Sequence, residues 1–232
     1  AWLREQRWGG ELIASLVQGR DPGDPQAQLT RLTSWQDRVR PSAALVYWRG
    51  HLHEQLGDLA AAESDYRRCE ALPASGNLQL ATVRPCMGRC RVALAQGDLA
   101  AAEAALRAAL THAPRDAEAG IAGCAIARDH LMAGDLSAAR ALSETLQPGT
   151  PAAGIGVLVC DLCEGSDSDL VLELDQDAAD EALRQWTHAV LRCPDLSIPE
   201  AFLARAGAIV AFFPWLPEFV QTTLAGGSET AQ

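Results

Sequence analysis

Small and apolar residues recur at helical spacing along most of the chain, broken by short polar turns of nearly constant spelling. The turn reads GDLAAAE at 57–63 and again at 97–103, and GDLSAAR from Gly134. The three glycines lie 40 and 37 residues apart. A period of this size predicts stacked supersecondary units. The pattern predicts helices over 43–56 and 59–72, over 83–96 and 99–112, and over 121–133 and 136–146. Each copy of the motif is then the corner between two antiparallel helices. Gly ends the first helix, where a left-handed residue is required. Asp caps the second by accepting backbone N–H bonds, and the alanines after it let the helices approach closely.

The ends are patterned differently. Residues 1–18 and 25–40 read as two amphipathic helices split by GRDPGD, without the repeat spelling, and are expected to cap the array. Residues 197–225 read as two further helices around AFFPWLPEFV, with Pro214 able to open the second. The last residues, GGSETAQ, are expected to be disordered.

This organisation resembles the tetratricopeptide repeat (TPR), a helix–turn–helix unit of about 34 residues. Its pattern wants a small residue at position 8, Gly at 15, Ala at 20, a bulky residue at 24, Ala at 27 and Pro at 32. The first copy supplies Gly50, Gly57, Ala62, Tyr66 and Cys69, with Pro73 one place early. The second supplies Cys90, Gly97, Ala102, Leu106, Ala109 and Pro114. The third supplies Ala127, Gly134 and Ala139, but has Ser143 and Leu146 where a bulky and a small residue belong. A partial fourth copy has a first helix around 154–164 and supplies Ala182, Trp186, Ala189 and Pro194, after the insert SDSDLVLELDQD. Residues beyond the 34-residue period are placed between units, in 73–82 and 114–120. The expected fold is an all-α, right-handed superhelix of TPR-like hairpins with atypical capping helices. Its parts are residues 1–42 as cap, repeats at about 43–82, 83–119, 120–150 and a degenerate 151–194, and 195–232 as second cap and tail.

The resemblance implies protein–protein recognition in a concave groove lined by the first helices, at positions 2, 5, 9, 12 and 13. These are Ala44, Tyr47, His51, Glu54 and Gln55, then Arg84, Met87, Arg91, Leu94 and Ala95, then Ile121, Cys124, Arg128, Leu131 and Met132. Arg84, Arg91 and Arg128 suit an acidic partner, because guanidinium forks pair with carboxylates. Tyr47, Met87 and Met132 would add adaptable apolar area. The competing expectation is that these arginines pair with the protein's own carboxylates. The Lys/Asn pattern of TPR domains that clamp a C-terminal carboxylate is not reproduced. A second surface is expected at Phe212, Phe213, Trp215 and Phe219, with Leu216 and Val220, either capping the core or meeting a partner or a second copy of the chain.

Composition narrows the function. The 232 residues are 48% hydrophobic but only 5% aromatic, rich in Ala and Leu, which favours helix. The net charge is −11, the wrong sign for a general nucleic-acid binder. All 19 basic side chains are arginine, read as a bias of the coding sequence of a bacterial source. No apolar run spans a membrane, and seven cysteines read as reduced thiols, so a cytoplasmic location is expected. The start at Ala1 leaves room for a removed signal or a longer parent chain.

Motifs for chemistry are weak. Cys160 and Cys163 form a lone CxxC outside the strand–helix context of a redox pair, and Cys86 and Cys90 take packing positions on one helix face. The acidic run Asp167, Asp169, Glu173, Asp175 and Asp177 lacks the glycine of a calcium loop and is read as a solvated insert, with a strand-like VLEL, that ends by capping the next helix. The five histidines, 51, 53, 112, 130 and 188, have no metal spacing, and Gly154–Gly156 is too short for a dinucleotide fingerprint. No enzyme activity, cofactor or metal is expected. The second functional reading is an accessory domain of a bacterial modifying enzyme, such as a glycosyltransferase, with its catalytic part outside this chain.

Overall fold

The computed structural model describes residues 24–36, 42–72, 82–146, 148–166 and 175–227. Among the described residues there are eleven α-helices, one 3-10 turn and no strand. The expected helix at 1–18, residues 73–81, most of the acidic insert with its VLEL, and the last five residues lie outside the described residues.

The chain divides into two compact units, Ala1–Ala113 and Pro114–Gln232. The first contains α1 (Pro25–Gln36), α2 (Ala43–Gln55), α3 (Leu59–Glu70), α4 (Val83–Ala95) and α5 (Leu99–His112). Each helix packs on the next, and α2 also meets α4. The second contains α6 (Ala117–Met132), α7 (Leu136–Leu146), α8 (Ala152–Glu164), α9 (Gln176–Leu191), α10 (Ser197–Arg205), the 3-10 turn Ala206–Ala208 and α11 (Leu216–Gly227). Helices α6 to α9 pack in succession, α10 lies against α8 and α9, and α11 against α9.

The hairpin corners follow from their residues. Gly57, Gly97 and Gly134 have φ of 77°, 74° and 87°, the left-handed region where a Cβ is strained. Each closes a Schellman turn. Gly57 N–H donates to the Glu54 carbonyl and Asp58 N–H to the His53 carbonyl; Gly97 and Asp98, and Gly134 and Asp135, repeat the pair. The same aspartates then cap the following helix. Asp58, Asp98 and Asp135 accept from the N–H of Ala61, Ala101 and Ala138 at 3.1, 2.9 and 2.9 Å. Asp175 caps α9 in the same way, through the N–H of Ala178 at 2.9 Å, as the end of the acidic insert is expected to do.

The repeat positions are the core. Ala62, Tyr66, Cys69, Ala102, Leu106, Ala109, Ala139 and Ser143 are fully buried. Tyr66 fits where two glycines leave room: a Cβ on Gly50 would come within 3.0 Å of its ring, and one on Gly88 within 2.4 Å. In the second unit Trp186 is used likewise. A Cβ on Gly156 would lie 2.3 Å from the Trp186 ring and 2.7 Å from the Ser143 hydroxyl. The small Ser143, out of place against the repeat pattern, thus accompanies a bulky ring supplied by α9.

Three details depart from expectation. Helix α6 starts at Ala117, four residues before the predicted 121, because Asp116 caps it through the N–H of Ala119. Pro217, not Pro214, occupies the first turn of the final helix. Helix α8 is buried at every residue from Ala153 to Cys163, since α6, α7, α9 and α10 all lie against it. It therefore offers no open face of the kind that a repeat's first helix presents.

Candidate functional site

In the first unit the candidate face lies on α2 and α4. Tyr47 is nearly buried and Met87 wholly so, at 7% and 0% exposure, so both belong to the core. His51, Glu54, Arg84 and Arg91 are half-buried. The His51 ring stacks parallel to Tyr47 at 6.4 Å between centroids. Trp48 stands edge-on to His51 at 5.6 Å.

Glu54 is the hub of this face. Arg91 donates through Nε to its Oε1 at 2.7 Å and through Nη2 to its Oε2 at 3.0 Å. The Tyr66 hydroxyl donates to Oε2 at 2.6 Å. His51 Nδ1 sits 3.8 Å away, an electrostatic neighbour beyond hydrogen-bond reach. Burial alone would push the Glu54 carboxyl up; His51, Arg91 and Tyr66 outweigh it and hold the carboxyl down at about 2. Burial and the same carboxylate push the Tyr66 hydroxyl up, so it stays a donor. Arg91 is thus already bound to a carboxylate of its own chain.

This network makes a testable contribution to acid stability. The Glu54 pKa in the folded protein lies below its ordinary value of 4.5. Its stabilisation is therefore complete above about pH 5 and lost as pH falls towards about 2. With solvent screening allowed for, it amounts to about 2 kcal/mol. The urea midpoint of the wild type should fall more between pH 5 and pH 3 than that of Glu54→Gln. Parallel curves would contradict the assignment.

Other arginines are also committed. Arg49 forks onto the buried Asp65, with Nε to Oδ2 at 2.7 Å and a second bond from Nη2 to Oδ1. Arg89 joins Glu63 and Glu70 at 3.2 and 3.0 Å, tying α4 to α3. In the second unit Arg140 reaches Glu144 at 2.9 Å, Asp161 at 2.6 Å and Glu164. Apart from Arg140–Glu144, four residues apart on α7, these pairings could not be read from the repeat register, because the partners lie on different helices at no fixed interval.

In the second unit the candidate face lies on α6. Leu131 is fully buried and belongs to the core. Cys124 is also buried, Arg128 and Met132 are half-buried, and Ile121 is 72% exposed. Burial pushes the Arg128 guanidinium below its ordinary value, opposed by the nearby Cys124, Asp129 and Glu181. Among the described residues Arg128 makes no hydrogen bond and no ion pair within 4 Å.

The aromatic cluster near the C-terminus points mostly inward. Phe213, Leu216 and Val220 are buried, Trp215 and Phe219 half-buried, and Phe212 is 70% exposed. Trp215 is edge-on to Phe213 and Phe219 at 6.2 and 5.6 Å, and Arg184 of α9 lies 4.6 Å over its ring. These contacts clamp α11 onto α9.

All seven cysteines are buried and unbridged. Burial pushes Cys69, Cys86 and Cys163 up to about 12, and Cys160 and Cys124 upward as well. They are therefore held as thiols, not as the thiolates that attack or ligate. No group of three or more metal-ligating side chains occurs among the described residues. No described helix is long and apolar enough to cross a membrane.

A family model described as tetratricopeptide repeat matches residues 43–74, the α2–α3 hairpin. No curated protein and no solved structure matches the chain. With one hairpin matched by the family model and the same glycine-turned corner recurring in both units, the chain is a TPR-like helical repeat protein.

Proposed function

We propose that the chain is a scaffold or adaptor that binds an acidic segment of another protein along the first helices of its hairpins, with the hairpins within each unit stacked in a right-handed sense. TPR repeats are protein–protein interaction modules in general. The observation that carries the finer reading is the recurrence of half-buried arginine at the groove positions of the first helices, Arg84 and the Glu54-bound Arg91 on α4 of the first unit and Arg128 on α6 of the second, in a chain of net charge −11. Such cations favour carboxylate-bearing partners, while the net charge of −11 disfavours nucleic acid. His51 and Met132 supply half-exposed area beside them.

Fluorescence anisotropy with labelled fifteen-residue peptides of graded charge tests this. Affinity should rise with peptide acidity and weaken with salt. The combined variant Arg84→Ala, Arg91→Ala, Arg128→Ala should bind acidic peptides at least about tenfold more weakly. Unchanged affinity in that variant, or equal binding of neutral and acidic peptides, would remove the proposal.

A further inference from the structure

We infer that the partner's carboxylate is read at Arg128 and not at Arg91, and that Ile121 holds an apolar side chain of the same extended peptide segment. This rests on the binding-face reading above and narrows it to one helix. Ile121, Ala125, Arg128 and Met132 follow one another at intervals of four, three and four residues, so they share a face of α6. Ile121 is 72% exposed, an unusual setting for a large aliphatic side chain two turns from a half-buried cation. The small Ala125 between them leaves the stripe low at its middle.

The arginines differ in what they already hold. Arg49, Arg89, Arg91 and Arg140 each grip carboxylates on a neighbouring helix. To bind a ligand, Arg91 would have to release Glu54, which also holds the Tyr66 hydroxyl. Removing it would leave a buried carboxylate short of a donor, a costly state. Arg128 has no such tie among the described residues. Its guanidinium is half-buried and partly desolvated. An incoming carboxylate supplies a charge-assisted fork, which is stronger in a partly buried setting than on an open surface.

The spacing sets the ligand. Ile121 and Arg128 are about 10 Å apart along the helix, seven residues at about 1.5 Å each. In an extended segment about three residues cover that span. The ligand is therefore a peptide of another protein with an apolar residue and a Glu or Asp three positions apart. Met132, about one turn beyond Arg128, adds apolar contact past the carboxylate.

Two labelled twelve-residue peptides test this, one carrying Leu-x-x-Glu in a Gly/Ser background and one carrying Leu-x-x-Gln. They are titrated against the full chain and against Arg128→Gln, Ile121→Ser and Arg84→Gln. Wild type should prefer the Glu peptide at least about tenfold, and Arg128→Gln should abolish that preference. Ile121→Ser, a surface change that leaves the core intact, should weaken both peptides by about the same factor, up to tenfold. Arg84→Gln should keep the preference. Should Arg128→Gln retain the preference while Arg84→Gln loses it, this inference falls and the binding-face reading stands. No preference in wild type overturns both.

Discussion

Gly88→Ala is expected to destabilise the protein by about 2 to 3 kcal/mol, although alanine is the better helix former. Helix propensity alone would favour the change by about 1 kcal/mol. Packing reverses the sign. The new methyl would lie 2.4 to 2.6 Å from three atoms of the Tyr66 ring, well inside contact distance. Tyr66 is fully buried and its hydroxyl is held by Glu54 at 2.6 Å, so the ring has nowhere to retreat without breaking that bond. Overpacking costs about 1 to 3 kcal/mol, and loss of a hydrogen bond to a charged group adds about 1.5 to 3 kcal/mol. Urea unfolding followed by circular dichroism measures the change. If the clash is the cause, Tyr66→Leu should cost less in the Gly88→Ala background than in wild type. Additive costs, or a stabilised Gly88→Ala, would show that the ring and the glycine do not share this space.

Trp186→Ala should cost still more, about 3 to 5 kcal/mol, the range for removing a large buried aromatic side chain. Trp186 is 1% exposed and is the largest fully buried side chain described. It lies over Gly156 of α8, the helix buried on all sides in the second unit. Gly156 supplies a second arm. In wild type, Gly156→Ala puts a methyl 2.3 Å from the indole ring and should destabilise. In the Trp186→Ala background the ring clash is gone and only the Ser143 hydroxyl, 2.7 Å from the new methyl, still crowds it, so the same change should destabilise less. An equal destabilisation in both backgrounds would contradict the placement of the ring.

The corners of the hairpins were legible because their chemistry is local. Gly57, Gly97 and Gly134 each need a left-handed backbone, and the aspartate beside each caps the helix that begins with it. Gly88 and Gly156 were not legible in the same way. Each matters because of a ring far along the chain, and only packing brings the two together. The start of α6 was missed because Gly120 reads as a breaker, whereas its missing side chain admits Thr150, whose hydroxyl would lie 2.2 Å from a Cβ there.

The candidate face was legible only as a register. Counting positions selects one stripe of each first helix, but burial depends on what lies beside that stripe. Met87 and Leu131 fall inside the core of their units, while Arg84 and Arg128 remain half open. Glu54 was singled out by position, yet its role is set by Arg91 on the next hairpin and Tyr66 on its own. Ile121 and Arg128 share a face by spacing alone, but the exposure of one and the lack of an ion pair at the other are properties of the folded unit.

Backbone dihedral angles from NMR scalar couplings at Gly57, Gly97 and Gly134 test the architecture most directly. Positive φ near 80° at all three, flanked by helical residues, is the predicted result. Helical φ near −60° at any of them would mean a continuous rod where a corner is required, and the hairpin account would be wrong.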